Sequence, residues 1–228
     1  MQILKKLLFS PNLRYTDLKP SSELENNQFD FHLDQLIKAE YIIKQENLYL
    51  LTSTGKEFAN RMDTDQVKIA RQAKISVYVC ATKKIAGKTH FLLFTRLKHP
   101  FYGCQGFLSG KVQYGESVEK SAAREFKEET NLAGKPTIVA LKHYIVYENT
   151  TKTLLEDKFM FLCLVKNPKG VLKGSQEGKY EWVPETNLFK HVTNHFVSMK
   201  QFKEDVKDIK TFNGKVTYRE ITQFTENF

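Results

Sequence analysis

Residues 110 to 132 have the sequence GKVQYGESVEKSAAREFKEETNL, and this stretch carries three glutamates at an informative spacing. Glu125, Glu128 and Glu129 stand at relative positions 0, 3 and 4, which places their carboxylates on one face of a helix. Like charges at these spacings destabilise an isolated helix by about 0.2–0.5 kcal/mol per pair. We therefore expect a compensating cation. Mg²⁺ is suitable because it prefers carboxylate oxygens and leaves positions for phosphate oxygens and water.

The whole stretch, beyond its three glutamates, indicates a family. This pattern closely resembles the Nudix box, the signature of the Nudix hydrolase family, with every spacing met and Asn131 where the family usually has glycine. That substitution is mild because Asn, after Gly, best tolerates the left-handed conformation at a helix C-terminus. A solvated helix face is the ordinary interpretation of a segment rich in Glu and Lys, but the match across the whole signature favours the family. The matching positions are Gly110, Glu116, Arg124, Glu125, Phe126, Glu128, Glu129, Asn131 and Leu132.

The resemblance implies a metal site and the residues that support it. The three glutamates would coordinate Mg²⁺ or Mn²⁺, with the carbonyl oxygen of Gly110 as a further ligand. Such an ion gathers the diphosphate, stabilises charge in the transition state and helps to generate hydroxide from water. Glu116 and Arg124 correspond to the family's ion-paired positions, where the guanidinium fork orients a carboxylate rather than transferring a proton.

The residue that removes the proton from the attacking water stays open at this point. Glu125 or Glu129 could act directly or through the metal. Families of this fold often recruit another carboxylate outside the box. Glu177 is the first candidate because SQEGKYEWVPE resembles the loop before a tryptophan-containing strand where such a residue occurs, and Glu181 is the second.

Three further residues are candidates for substrate binding. Arg96 follows a predicted strand and could meet a phosphate, whereas the neighbouring Lys98 and His99 are expected to face solvent. Lys111 replaces a second glycine often found in this family, which predicts either backbone crowding or a new phosphate contact. Tyr114 offers an aromatic face on which a nucleobase could stack.

The apolar pattern predicts an α/β (α+β) fold for residues 75–228. ISVYVCAT and THFLLFTRL flank the turn KKIAGK as a hairpin, while PTIVALKHYIVYE and KFMFLCLVKN are typical of strands. A last helix is expected within residues 187–209, followed by the strand-like KVTYREITQF. Together with the box helix, these elements agree with the Nudix-type mixed sheet flanked by helices that the resemblance implies.

Residues 1–62 predict a separate small domain with the order helix, helix, helix, hairpin, helix. The segment FDFHLDQLIKAEYIIKQENLYLLTSTGKEFA resembles the second half of a winged helix-turn-helix domain. Residues 63–74 are polar, so we expect a linker or a helix extension there. DNA binding would need basic residues for phosphate contacts, yet residues 1–62 carry eight basic and eight acidic side chains. Dimerisation or contact with another partner is therefore the commoner expectation for this domain.

The composition narrows the class of protein further. The net charge is +9, and because residues 1–62 are neutral overall, the whole excess lies in the second domain, where it favours a polyphosphate ligand. Cys80, Cys104 and Cys163 lack the spacing of a zinc site and are expected as reduced thiols. No apolar run approaches the roughly 18 residues needed to cross a bilayer, so we expect a cytoplasmic protein without membrane contact.

Two functions of different classes follow. The first is a Mg²⁺-dependent pyrophosphohydrolase that cleaves a nucleoside diphosphate linked to another moiety by attack of water on phosphorus, with a homodimer as a possible assembly. The alternative is a nucleotide-sensing transcriptional regulator whose winged helix domain binds DNA. Regulators of this type commonly have degraded boxes, whereas this box keeps all its carboxylates, so the hydrolase is favoured. Substrate identity stays open because specificity lies in loops.

Overall fold

The chain divides after Gln72 into a smaller and a larger unit in the computed structural model, which describes residues 1–19 and 25–226. In the smaller unit, β2 and β3 form the predicted hairpin, and the short β1 pairs with β3. The predicted order of helices and hairpin is confirmed with β1 as an addition, while the winged helix class stays a prediction. The elements are α1 (Gln2–Leu8), β1 (Leu13–Arg14), α2 (Tyr15–Leu18), α3 (Asn26–Lys38), β2 (Ile42–Gln45), β3 (Leu48–Leu51) and α4 (Ser53–Asn60).

Residues 63–74 are not a helix extension. Helix α4 ends at Asn60, and β4 (Met62–Asp63) pairs antiparallel with β5 (Lys68–Ile69). The physical reason is the Asp63 carboxylate, which accepts hydrogen bonds from the backbone N–H groups of Asp65 and Gln66 at 3.0 and 2.9 Å. Such a side-chain contact stabilises a turn in competition with a helix.

Gly55 in α4 lies directly against the backbone before the hairpin. A Cβ at this position would stand 1.9 Å from the Tyr41 carbonyl oxygen. Replacing glycine by alanine inside a helix normally stabilises by about 0.5–1 kcal/mol, but here the collision dominates. We predict that Gly55→Ala lowers the free energy of unfolding of this unit by about 1–3 kcal/mol, measured by urea denaturation. The exposed Lys56→Ala is the control, and an unchanged midpoint for Gly55→Ala would contradict the prediction.

The larger unit contains the predicted mixed sheet. Its strands follow the order β12-β7-β6-β11-β10-β13, with β8 pairing with β7 and β9 pairing with β6. Both parallel pairs (β6 with β11, β10 with β13) and antiparallel pairs occur, so the predicted fold class is confirmed. The elements are β6 (Lys74–Ile85), β7 (Lys88–Arg96), β8 (Gln105–Gly106), β9 (Leu108–Lys111), α5 (Val118–Thr130), β10 (Pro136–Glu148), β11 (Leu154–Lys166), β12 (Gly178–Pro184), α6 (Leu188–His191), α7 (Met199–Thr211) and β13 (Thr217–Thr225).

Helices cover both faces of this sheet. Side chains alternate along a strand, so Val77 and Val79 of β6 face one side and pack with Phe126 of α5. Tyr78 faces the other side and packs in the cluster that contains Phe202 of α7. Among the described helices, none is long and apolar enough to cross a membrane.

The box helix α5 is capped at both ends, and it ends where the sequence predicts. The Ser117 side chain accepts a hydrogen bond from the backbone N–H of Lys120 at 3.3 Å and so caps the first turn. Asn131 ends the helix with φ 58°, in the left-handed conformation expected of the residue that replaces glycine. Strand β9 pairs with residues 76–79 of β6, which places Gly110 opposite Val77 beside the helix.

Candidate active site

Arg124 is the centre of the polar contacts around the box. Its Nε and Nη2 atoms donate to the two carboxylate oxygens of Glu116 at 3.0 and 2.9 Å, as the resemblance implied. Its Nη1 donates to Glu125 at 2.9 Å and to Glu128 at 3.1 Å. The hydrogen bonds from Arg124 hold the pKa of Glu116 below its usual range. One guanidinium group therefore orients the loop before α5 and two of the three box glutamates.

Glu125 packs directly against Gly110 in β9. A Cβ at Gly110 would stand 2.1 Å from the carboxyl carbon of Glu125, so only glycine fits at this point of the strand. The Glu125 side chain is 15% exposed, and burial raises the pKa of its carboxyl although Arg124 opposes the shift. The Glu128 side chain is 59% exposed and faces a more solvated environment.

Two hydroxyl groups that the sequence reasoning missed hold Glu129. Ser175 Oγ donates to Glu129 Oε2 at 2.9 Å, and the Tyr180 hydroxyl donates to the same oxygen at 2.5 Å. Burial, followed by the hydrogen bond to Glu129, raises the pKa of Tyr180, so its hydroxyl stays a donor. Alternation along β12 was a signal for Tyr180, whereas no local pattern indicated Ser175.

Glu177 lies beside the box carboxylates, but it has a cationic partner. Lys98 forms an ion pair with Glu177, and this contact is the main cause that lowers the pKa of the Glu177 carboxyl. Glu129 also contributes to the lowered pKa of Glu177, so the two carboxyl groups interact. Lys98 was expected to face solvent, and its side chain is 42% exposed while it also pairs with Glu177. The backbone bond from the Leu97 N–H to the Glu177 carbonyl oxygen, 2.8 Å long, joins the two loops.

Of the three predicted substrate-binding residues, Arg96 and Lys111 line the cavity described below, and Tyr114 does not. Arg96 donates through Nε to the carbonyl oxygens of Lys98 and Pro100 at 2.9 and 2.6 Å, and thus shapes the loop that carries Lys98. The carbonyl oxygen of Lys111 accepts from Arg124 at 3.1 Å. The Tyr114 ring is 90% exposed in the turn before α5 and does not reach the cavity described below. Glu181, the second candidate for a base, does not line the cavity either and pairs with His191.

A cavity of about 850 Å³ brings the remaining candidates together. The sheet forms one side of it, and the loop after β7 contributes aromatic and basic side chains. Glu125, Glu128, Glu129, Glu177, Arg96, Lys98 and Lys111 all line this cavity. Acidic groups able to hold a cation and basic groups able to meet phosphate therefore line the same cavity.

The donors of this surface fit a divalent cation. Three carboxylates lie on one helix face, and the missing side chain of Gly110 lets the Glu125 carboxylate approach the backbone of β9. Among the described residues, no three acidic, His or Cys side chains already stand at mutual metal-binding distances. Arg124, Ser175 and Tyr180 occupy carboxylate oxygens, so the glutamates would exchange these contacts for the ion.

The fold and this constellation define a class of protein, and comparison with known families agrees. The NUDIX domain family matches residues 70–206, which is more than half of the chain, and the chain belongs to this family. Proteins of the family generally use divalent metals.

Individual relatives are similar over part of the chain. The ADP-ribose pyrophosphatase of Methanocaldococcus jannaschii is 30% identical over 92 residues, which cover 39% of this chain and 52% of that protein. The chain thus spans about half the length of this curated relative. Two solved structures share the fold: the NUDIX domain of Shewanella oneidensis NrtR complexed with ADP ribose (TM-score 0.53, 15% identity, 71% of this chain and 100% of that one) and the MutT protein of Bacillus halodurans (TM-score 0.52, 16% identity, 68% and 93%).

Proposed function

We propose that this protein is a Mg²⁺-dependent pyrophosphohydrolase, with Mn²⁺ as a substitute, that cleaves a nucleoside diphosphate linked to another moiety. ADP-ribose is the first substrate to test, because the name of the curated relative includes it. The observation that carries the proposal is the shared cavity, in which the three box carboxylates face Lys98, Lys111 and Glu177. The regulator alternative is not favoured, since the box keeps all its carboxylates.

Each residue then has a role that follows from its contacts. Glu125, Glu128 and Glu129 would hold the ion, together with the Gly110 carbonyl oxygen. When bound, the ion neutralises the phosphate oxygens and lowers the pKa of a bound water. Glu116 and Arg124 position the carboxylates, because the Arg124 fork contacts both Glu116 oxygens.

The basic side chains would bind the diphosphate. Lys98 and Lys111 line the cavity near the glutamates and have the charge that phosphate oxygens require. Arg96 would position Lys98, because its guanidinium group already donates to the backbone of that loop. Tyr114 has no role in this proposal.

The proton of the attacking water would pass to a carboxylate. We assign this role to Glu177, with Glu129 as the alternative, because the two carboxyl groups interact at the wall of the cavity. The ammonium group of Lys98 now lowers the pKa of Glu177, and a bound diphosphate would compete with Glu177 for this group. Loss of that partner raises the basicity of Glu177 while substrate is bound.

Gly110→Ala should reduce hydrolysis without unfolding the protein. The added methyl group would collide with the carboxyl group of Glu125 and displace a metal ligand. We predict a fall in kcat/KM of about 100-fold, comparable with the loss of one oriented catalytic group. Kinetics with ADP-ribose and a thermal melt measure the two effects. The control for an added methyl group is Gly87→Ala, whose Cβ would meet nothing within 4 Å and which does not line the cavity. Its φ of 76° strains an alanine, so this control should lower the melting temperature but leave kcat/KM unchanged. Equal activities of Gly110→Ala and the parent would contradict the prediction.

The direct test of the proposal is a hydrolysis screen with and without Mg²⁺. The panel contains ADP-ribose, nucleotide sugars, dinucleoside polyphosphates and nucleoside triphosphates, and the products identify the bond that breaks. We expect Mg²⁺-dependent cleavage within the diphosphate of at least one substrate. Absence of cleavage across the panel would refute the function. The winged helix class of residues 1–62, DNA binding and a homodimer stay predictions that this screen does not address.

A further inference from the structure

The sheet side of the cavity extends beyond the box carboxylates. Gly110 lies opposite Val77 of β6, and the strand then continues three residues to Lys74. At about 3.3 Å per residue, this distance is about 10 Å, roughly the size of a sugar or nucleoside beyond a diphosphate. Lys74 lies opposite Lys158 of β11, and both line the cavity. This part of the cavity would therefore contact the moiety joined to the diphosphate.

Glu156 is an ionised carboxylate at this end of the cavity. Its side chain is 10% exposed and accepts hydrogen bonds from Lys158 Nζ at 2.6 Å and from Lys74 Nζ at 3.2 Å. Burial would raise the pKa of Glu156, but the two lysines outweigh it and the pKa is lowered. Each lysine bonds a different carboxylate oxygen, and a carboxylate oxygen can accept more than one hydrogen bond. Glu156 can therefore accept further hydrogen bonds from a ligand in the cavity.

The surroundings of Glu156 suit an uncharged, ring-shaped group. Its single carboxylate offsets one of the two adjacent lysine charges, so this cluster is less cationic than the lysines alone would be, whereas Lys98 and Lys111 lie with the box glutamates. The Phe101 ring lies across the cavity with its centroid 5.9 Å from Lys158 Nζ, and Val146 adds apolar surface. Hydroxyl or amino groups would meet an acceptor here. A further phosphate would meet this carboxylate beside the lysines, so Glu156 weakens the binding of phosphate at this place.

We propose that Glu156 determines substrate specificity by accepting hydrogen bonds from hydroxyl or amino groups of the moiety joined to the diphosphate, and by weakening the binding of a third phosphate to the adjacent Lys74 and Lys158. This inference rests on the proposed function, and it favours diphosphates joined to a sugar or nucleoside over nucleoside triphosphates. A purely structural role for Glu156, joining β6 to β11 through the lysines, would change stability but not substrate preference.

The test compares the parent with Glu156→Gln, using ADP-ribose and ATP as probes. The variant keeps the size of the side chain but loses its charge. We expect KM for ADP-ribose to rise about tenfold with kcat within about twofold, since binding in ground and transition state is lost equally. The preference for ADP-ribose over ATP, as a ratio of kcat/KM, should fall about tenfold. The matched control is Glu185→Gln, which removes a glutamate paired with Lys210 at another surface of the same unit and should change neither value.

Two further measurements separate the possible failures. Glu156→Asp keeps the charge and should retain a preference nearer to the parent's, even where Glu156→Gln lowers the melting temperature. Calorimetric titration of both probes in EDTA measures binding without hydrolysis, and ADP-ribose should bind Glu156→Gln about tenfold more weakly than the parent. A parent that binds ADP-ribose but hydrolyses nothing refutes the proposed function alone. Equal dissociation constants and equal preferences in the parent and Glu156→Gln overturn the role of Glu156.

Discussion

Glu129→Gln is expected to lower kcat for Mg²⁺-dependent hydrolysis by about 10³-fold or more while the protein stays folded. Glutamine keeps the size of the side chain, and its amide oxygen can still accept from Ser175 and Tyr180. What it loses is the negative charge that holds a divalent ion. The expected defect is therefore in catalysis, with little change in packing around α5.

The measurement is the initial rate of ADP-ribose cleavage at saturating Mg²⁺, with circular dichroism melts of both proteins. Glu119→Gln is the control, because Glu119 is an exposed glutamate on the same helix that does not line the cavity. A Glu129→Gln protein that is intact and as fast as the parent would remove Glu129 from the chemistry. A loss of activity in both variants would point to the helix rather than to this carboxylate.

Lys142→Met should destabilise the larger unit by about 3–5 kcal/mol at pH 7. Lys142 forms an ion pair with Asp205 of α7, and both side chains are fully buried. Burial lowers the pKa of Lys142 and raises the pKa of Asp205, so each group is charged at a cost that its partner offsets. Removal of the lysine leaves the carboxylate in the core with Gln201 as its remaining donor.

Urea denaturation followed by the fluorescence of Trp182, the one tryptophan of the chain, reports on this unit specifically. The double variant Lys142→Met, Asp205→Leu should be more stable than Lys142→Met, because it removes the uncompensated carboxylate. The Lys142→Met defect should also shrink as pH falls. Burial raises the pKa of Asp205 and Lys142 opposes this shift, so loss of the lysine raises the pKa of Asp205 further. The folded variant then binds a proton more readily than the unfolded chain, and it gains more stability towards acid than the parent does. A defect below about 1 kcal/mol, or one that grows in acid, would contradict this account of the pair.

The box helix could be predicted because its information is local. The spacing of its glutamates and the Asn131 terminus lie within one stretch of sequence, and the Glu116–Arg124 contact spans eight residues. The mixed sheet was likewise accessible from the alternation of apolar residues in its strands. Such local patterns can be interpreted from the sequence because side chains repeat with a fixed period along a helix and along a strand.

Contacts between distant segments could not be predicted in the same way. Tyr180 and Lys98 reach the site because β12 pairs with β7 in a register that places Gly178 opposite Arg96, and no local pattern determines that register. The buried ion pair of Lys142 could not be predicted either, because its partner Asp205 lies 63 residues away in the sequence. Tyr114 lies outside the cavity lining although it is close to the box in sequence, because its ring is exposed in the turn before α5, so its contact with a nucleobase stays a prediction.

Arg124 makes metal loading an exchange reaction. Its guanidinium group contacts oxygens of Glu125 and Glu128 that a divalent ion would use, so the observed affinity is the intrinsic affinity reduced by the free energy of those contacts. The contact with the exposed Glu128 contributes about 0–1 kcal/mol, so it is readily given up. The bidentate contact with Glu116 can persist throughout, which anchors the arginine while its other contacts change. A built-in counter-ion thus compensates two of the three crowded glutamates of α5, while the hydroxyl groups of Ser175 and Tyr180 hold the third.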